Sequence, residues 1–337
     1  MRSGILAAGN FIIDYVKVID AYPGEDMLAN IHSERASNGG GPYNVLKDLA
    51  AMGATYPLEA AGLVGKDANG DWILDDCQKA RIDTKQLQQT TQAPTSYTDA
   101  MTVASTGRRT FFHQRGANAL FNESSLDFNK TNAKLFHLGY LMLLDAMDSF
   151  AGPGRTRASL ALEAARHAGL RTSTDLVSTD DPRLREVTES ALPYTDQLIL
   201  NEIEAGKATG LTLKTSSGTD VAATIEAARL LLQRGVRERV VVHFVEGALA
   251  VDAAGEVTLQ GSLQLPPGFI AGATGAGDAF AAGYLHGCHE DWSVQQSLEL
   301  GVCAAAACLT DPTPSRGLRS VAACLELGRE LGVRVLR

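Results

Sequence analysis

The sequence has too few cysteines, in the wrong arrangement, for a disulfide framework or a zinc ribbon. Its five, Cys77, Cys288, Cys303, Cys308 and Cys324, are odd in number, lie in apolar surroundings and form no C-x-x-C pair. They read as small buried hydrophobes, and the expected location is a reducing cytoplasm. Positive charge is short as well. Thirty Lys and Arg face 39 Asp and Glu, a formal net charge of -9. That balance argues against nucleic acid or a membrane surface as the main partner, while leaving room for a local anion site. No segment approaches the roughly eighteen apolar residues of a membrane helix. The best candidate, Leu298 to Leu309, reads as a core helix. The N-terminus, MRSGILAAGNFIIDYVKVID, has no basic region, long apolar stretch and cleavage site in succession, and reads as a buried strand. The Walker G-x-x-x-x-G-K-[ST] loop is missing, and so is a G-x-G-x-x-G after the first strand. His286 and His289 flank Cys288 without the H-E-x-x-H pattern, so they are not read as metal ligands.

What is present is an alternation. With 45% hydrophobic and 20% charged residues, the chain can fill a large core. Strand-like runs are expected at 4–18, 58–64, 134–138, 171–175, 197–200 and 240–245. Helical periodicity is expected at 43–52, 71–80, 157–168, 221–233, 276–287, 294–309 and 321–331. This order predicts an α/β fold, a doubly wound and mostly parallel sheet flanked by helices. No repeat, low-complexity tract or Pro/Ser-rich linker divides it, so residues 1–337 are expected to form one unit. Two stretches, about 16–38 and 97–115, break the alternation with β-like character and are expected to form a small lid over one end of the sheet.

The chemistry concentrates in Gly272-Ala273-Thr274-Gly275-Ala276-Gly277-Asp278-Ala279-Phe280-Ala281-Ala282-Gly283. Small residues here let backbone amides approach a ligand, and the helix that follows turns its free N–H groups and positive dipole end the same way. Such a turn is an anion hole suited to phosphate. A carboxylate in that first turn repels phosphate and needs a reason. Accepting a proton from an attacking hydroxyl supplies one for Asp278.

TGAGDAFAAG resembles the C-terminal motif of the ribokinase family, the PfkB-type carbohydrate kinases. Four further segments follow that family's order. Gly9-Asn10-Phe11-Ile12-Ile13-Asp14 is similar to its first strand, whose Asp binds sugar hydroxyls. Asn38-Gly39-Gly40-Gly41-Pro42-Tyr43-Asn44 resembles its Gly-Gly-x-x-x-Asn helix opening. Asn201-Glu202-Ile203-Glu204 resembles its Asn-x-x-Glu motif, and Gly247-Ala248 the end of a turn beside the nucleotide.

The resemblance implies an ATP-dependent phosphotransferase acting on a sugar-like hydroxyl. Asp278 would be the general base, and Gly275, Ala276 and Gly277 the anion hole. Asp14, Gly40, Gly41 and Asn44 would hold the acceptor, with Arg109 reaching down from the lid to a substrate carboxylate or hydroxyl. Thr274, Asn201 and Gly247 would meet the nucleotide. Glu204 and Asn201 would organise Mg²⁺ through water, although Asn201 and Glu204 also have the spacing of a helix capping box. Expected partners are ATP, a small polyol or sugar, and a second copy of the chain docked through the lid. A nucleoside acceptor, or a ligand-binding role without catalysis, stays open beside this reading. Phe11, Tyr43, Phe112 and Tyr140 are candidates for a nucleobase slot.

Two departures stand out. Gly272-Ala273 replace an Asp-Thr pair whose Asp, in many members, helps bind potassium, and this puts a monovalent cation in doubt. Val242 and Phe244 stand where Thr and Gly are usual, so nucleotide contacts there must be rebuilt.

Overall fold

The computed structural model describes residues 2–216 and 218–336. Its centre is β1 (Ile5–Gly9), fully buried, with β4 (Leu58–Gly65) and β8 (Leu135–Leu141) paired in parallel on its two sides. Alternate side chains of this strand go to opposite faces. Ile5 and Ala7 enter one hydrophobic cluster, Leu6 and Ala8 the other. The sheet extends through β5 (Asp83–Thr90) beyond β4. On the other side it runs through β11 (Arg171–Leu176), β12 (Gln197–Asn201) and β15 (Arg239–Phe244), all parallel. Two antiparallel strands, β16 (Gly247–Asp252) and β17 (Val257–Gly261), complete the nine-stranded order β17-β16-β15-β12-β11-β8-β1-β4-β5.

Helices cover both faces, as a parallel sheet requires. Against the Ile5 face pack α1 (Gly41–Ala51), α2 (Ala68–Lys79), α7 (Ala276–His289), α8 (Val294–Cys308) and α9 (Val321–Leu331). Against the Leu6 face pack α3 (Arg157–His167), α4 (Leu184–Ala191), α5 (Glu202–Thr209) and α6 (Val221–Gln233). Helix α7 is buried from Asp278 to His289, because α8 closes over the side that solvent would otherwise take. Gly283 makes this approach possible: a Cβ there would stand 2.8 Å from the Leu300 carbonyl oxygen.

A separate four-stranded sheet forms the lid, in the order β3-β2-β6-β7, from β2 (Ile12–Ile19), β3 (Ile31–Gly39), β6 (Tyr97–Val103) and β7 (Arg109–Gln114). Small ribbons join β9 (Phe150–Gly152) to β10 (Arg155–Thr156), and β13 (Lys214–Thr215) to β14 (Gly218–Thr219). The expected run 4–18 is therefore two strands in two sheets. The chain changes sheet at Asn10, whose side chain accepts from the Tyr140 amide at 2.7 Å and donates to the Leu143 carbonyl at 3.2 Å. Asp14 consequently lies on the lid rather than at the end of the central strand, and the lid begins at Ile12.

Candidate active site

The carboxyl ends of the parallel strands, the first turn of α7 and the underside of the lid enclose a cavity of about 470 Å³. A second cavity, about 610 Å³, lies behind it between β16 and α8. Asn201, His243, Ala273, Ala276 and Gly277 line both, so the two meet at the amino end of α7.

Gly275 caps that helix with φ +78°, a left-handed conformation that glycine adopts without strain. The first helical bond runs from the Ala279 amide to the Gly275 carbonyl at 2.8 Å. The amides of Ala276, Gly277 and Asp278 thus precede any helical acceptor and face the junction of the cavities. On the opposite wall, His243 packs its ring against Phe280 at 5.0 Å, and burial holds it neutral, its pKa lowered to about 4.

Asp278 has two partners. Its Oδ2 accepts from Asn44 Nδ2 at 2.7 Å, and its Oδ1 from the Tyr140 hydroxyl at 2.7 Å. Burial pushes the carboxyl up to about 7 against the opposing effect of those two bonds. Asn44 is oriented in turn by Asn38, which donates to Asn44 Oδ1 at 2.7 Å and to Ser315 at 2.9 Å. Asp14 faces the same space from the lid. Burial raises it to about 7 as well, and the Asp278 charge adds to the rise.

At the far end, Asn201 caps α5. Its side chain accepts from the Ile203 and Glu204 amides, and Glu204 Oε2 accepts from the Asn201 amide at 3.0 Å, so the capping box is complete. Glu204 Oε1 also accepts from Asn201 Nδ2 and from Ser178. Burial pushes the Glu204 carboxyl up to about 8.

Asp14, Gly40, Asn44, Asn201, Glu204, Thr274, Gly275, Ala276, Gly277 and Asp278 all line the first cavity; Gly247 lines the second. Gly41 lines neither and instead underlies Tyr140: a Cβ there would meet its ring at 2.8 Å. Arg109 hydrogen-bonds the Thr274 hydroxyl, so it rests on the anion-hole loop. Phe11 and Tyr43 stack on each other in the core, away from any nucleobase slot.

Sequence reasoning passed over three residues. Tyr140 was read only as a candidate base slot, although it bonds Asp278. Asp175, at the end of β11, is buried, and its Oδ1 has no hydrogen-bond partner. His243 stands between the altered positions Val242 and Phe244 and draws no attention in sequence. The one signal for Asp175 is a carboxylate ending the strand-like run 171–175.

Comparison with known proteins agrees along the chain. The family model described as pfkB family carbohydrate kinase matches residues 3–319. Adenosine kinase of Saccharomyces cerevisiae is 26% identical over 88% of this chain and 87% of its own length. Fructokinase of Escherichia coli is 31% identical over 74% of this chain and 76% of its own. Among solved structures, Arabidopsis thaliana ribokinase complexed with ribose and ATP superposes with a TM-score of 0.79 at 21% identity. That match covers 97% of this chain and 99% of the other.

Proposed function

The chain belongs to the pfkB family of carbohydrate kinases, and from that premise we propose that it transfers the γ-phosphoryl group of ATP to a hydroxyl of a sugar or sugar-like acceptor, as one unit over residues 1–337. The observation that carries this reading is the Asp278 carboxylate, fixed between an anion hole and the cavity beneath the lid. The acceptor oxygen forms its bond to the γ-phosphorus as the bond to the β–γ bridging oxygen breaks. The hydroxyl proton passes to Asp278, and ADP leaves.

The Gly275, Ala276 and Gly277 amides receive the charge that builds on the moving group; removing one such donor typically costs roughly a hundred-fold in rate. Asp14, Gly40 and Asn44 hold the acceptor, with Gly41 supporting Tyr140 behind them. Arg109 brings a positive charge from the lid to the anion hole. Thr274 and Asn201 serve the phosphates, and the second cavity, lined by Gly247, Phe244, Leu263 and Val302, accommodates the faces of the nucleobase.

Glu204 and Asn201 fit Mg²⁺ held through water. A buried carboxyl pushed up to about 8 and the unpartnered Asp175 Oδ1 mark a place where a cation relieves a cost. Mg²⁺ bound there supplies charge neutralisation for the triphosphate. Five unpaired, buried cysteines support a reducing compartment. The lid exposes Met27, Leu28 and Ile31, which supports docking of a second copy there.

A nucleoside acceptor is the second reading. It is favoured by the half-exposed Phe111 ring at the cavity and by the likeness to an adenosine kinase. The intact set of Asp278, Asn44 and Glu204 speaks against a ligand-binding role without catalysis. ADP release measured with a panel of free sugars, sugar acids and nucleosides tests the proposal. A sugar is expected to stimulate release most strongly. Preference for a nucleoside selects the second reading, and no stimulation by any acceptor contradicts both.

A further inference from the structure

The inner face of the lid carries a polar row of which the sequence motifs account for Asp14 alone. Asp14 on β2 stands opposite Thr98 on β6, and Thr98 stands opposite His113 on β7. Directly paired residues share a face of a sheet, and all three side chains line the first cavity. Thr98 Oγ1 and His113 Nδ1 are 2.9 Å apart, which fixes the imidazole in place. The Thr98 hydroxyl also favours the ionised form of Asp14. One atom is left over: His113 Nε2 is buried and has no hydrogen-bond partner. Buried polar atoms are rarely left unpaired, and the imidazole that carries this one lines the cavity.

The row can carry charge at one residue only. Burial lowers the His113 pKa to about 4, and the neighbouring Arg115 acts in the same direction, so the ring is neutral near pH 7. Asp14 is the only charge-bearing member. Among the described residues no lysine or arginine lines the cavity. Lys17 is paired with Asp99 and Glu34, and Arg115 with Asp145, while Arg109 stays on the Thr274 hydroxyl at the anion-hole loop, where its charge serves the phosphoryl group. A carboxylate or phosphate held at the row would therefore face Asp14 with no cation in the row to receive it. A hydroxyl would be received by both Asp14 and His113.

We propose that the Asp14–Thr98–His113 row reads hydroxyls of an uncharged acceptor, with His113 as a specificity-determining residue, and that the site excludes sugar acids and sugar phosphates. The proposal rests on the phosphotransferase reading above and narrows its substrate class.

The test compares D-ribose, D-fructose and adenosine with D-ribonate, D-gluconate and D-ribose 5-phosphate, by ADP release and by calorimetric titration without nucleotide. For the wild type, kcat/KM of the best neutral acceptor is expected to exceed that of the best anion by at least about 100-fold. His113→Leu is expected to raise the neutral acceptor's KM about ten-fold while leaving kcat and the KM for ATP near wild type. His113→Lys, which places a cation in the row, is expected to narrow the neutral-to-anion ratio by at least about ten-fold. A wild-type preference for an anion overturns the proposal, as does an unchanged ratio in His113→Lys. Titration separates the two levels of the argument. Neutral acceptors that bind more tightly than anions without stimulating ADP release sink the kinase reading alone. An anion that binds as tightly as the best neutral acceptor, or no binding of any neutral one, sinks this proposal.

Discussion

At the scale of single residues the site is a contest over Asp278. Burial favours the protonated acid, while Asn44 and Tyr140 each donate to the ionised form, and the carboxyl comes to rest at about 7. A base must be ionised to work, so kcat/KM for the acceptor should fall about ten-fold per pH unit as pH drops below about 7. The same rise bears on stability. A carboxyl whose pKa is higher folded than unfolded binds its proton more tightly in the native state, so stability is lost as pH rises from about 4 to about 7. Asp278→Asn removes that loss. Denaturant unfolding should show the variant more stable than wild type at pH 8, on the order of 2–4 kcal/mol at about 1.4 kcal/mol per pH unit, with the gain vanishing near pH 4. Equal or lower stability at pH 8 would mean that Asp278 carries no burial cost. Asp278 and Asn44 were legible in the sequence because each sits in a glycine-rich turn whose backbone chemistry explains it. Tyr140, Asp175 and His113 were not, because they reach the cavity from β8, β11 and β7 only once the sheets have formed.

At the scale of elements, two loops decide whether a monovalent cation has a place. A Cβ at Gly272 would come within 2.6 Å of Pro312 Cα, so no carboxylate side chain can stand there. Asp311 Oδ1 accepts from the Thr313 amide and hydroxyl at 2.8 and 2.6 Å, which turns the carboxylate to its own loop, and Arg316 is exposed. The Cys308 thiol donates to the Thr274 and Pro314 carbonyls at 3.3 and 3.0 Å, tying the two loops together through protein groups. These residues do not fit a potassium ion. Exchanging potassium for a bulky organic cation, at constant ionic strength and Mg²⁺, should change turnover less than about two-fold. Activation of ten-fold or more would show a site built from other ligands. Helices with a clear apolar stripe, such as α6 and α9, were legible to the residue. Strand β5 was not, since DTKQLQQT is polar at a sheet edge and buries little beyond Gln86 and Leu87. The passage from β1 to β2 was hidden because both strands are apolar and the Asn10 that separates them looks unremarkable in sequence.

At the scale of the whole molecule, the doubly wound sheet brings the ends of β8, β11, β12 and β15 and the starts of α1, α5 and α7 to a single place, and the lid covers it. Two cavities meet there, one beneath the lid that holds the carboxylates Asp14, Asp175, Glu204 and Asp278 and one behind α7 without them, which is the division of space that moving a phosphoryl group between two ligands requires. The alternation of elements made this architecture legible, whereas the cavity behind α7 depended on tertiary packing of β16, α8 and the segment 262–270. The central claim is that Asp278 acts on the acceptor's proton and not on nucleotide binding. Turnover and nucleotide affinity measured side by side for Asp278→Asn test it most directly. The account predicts a fall in turnover of at least about two to three orders of magnitude with nucleotide affinity nearly unchanged. A variant that keeps more than about a tenth of wild-type turnover would contradict it.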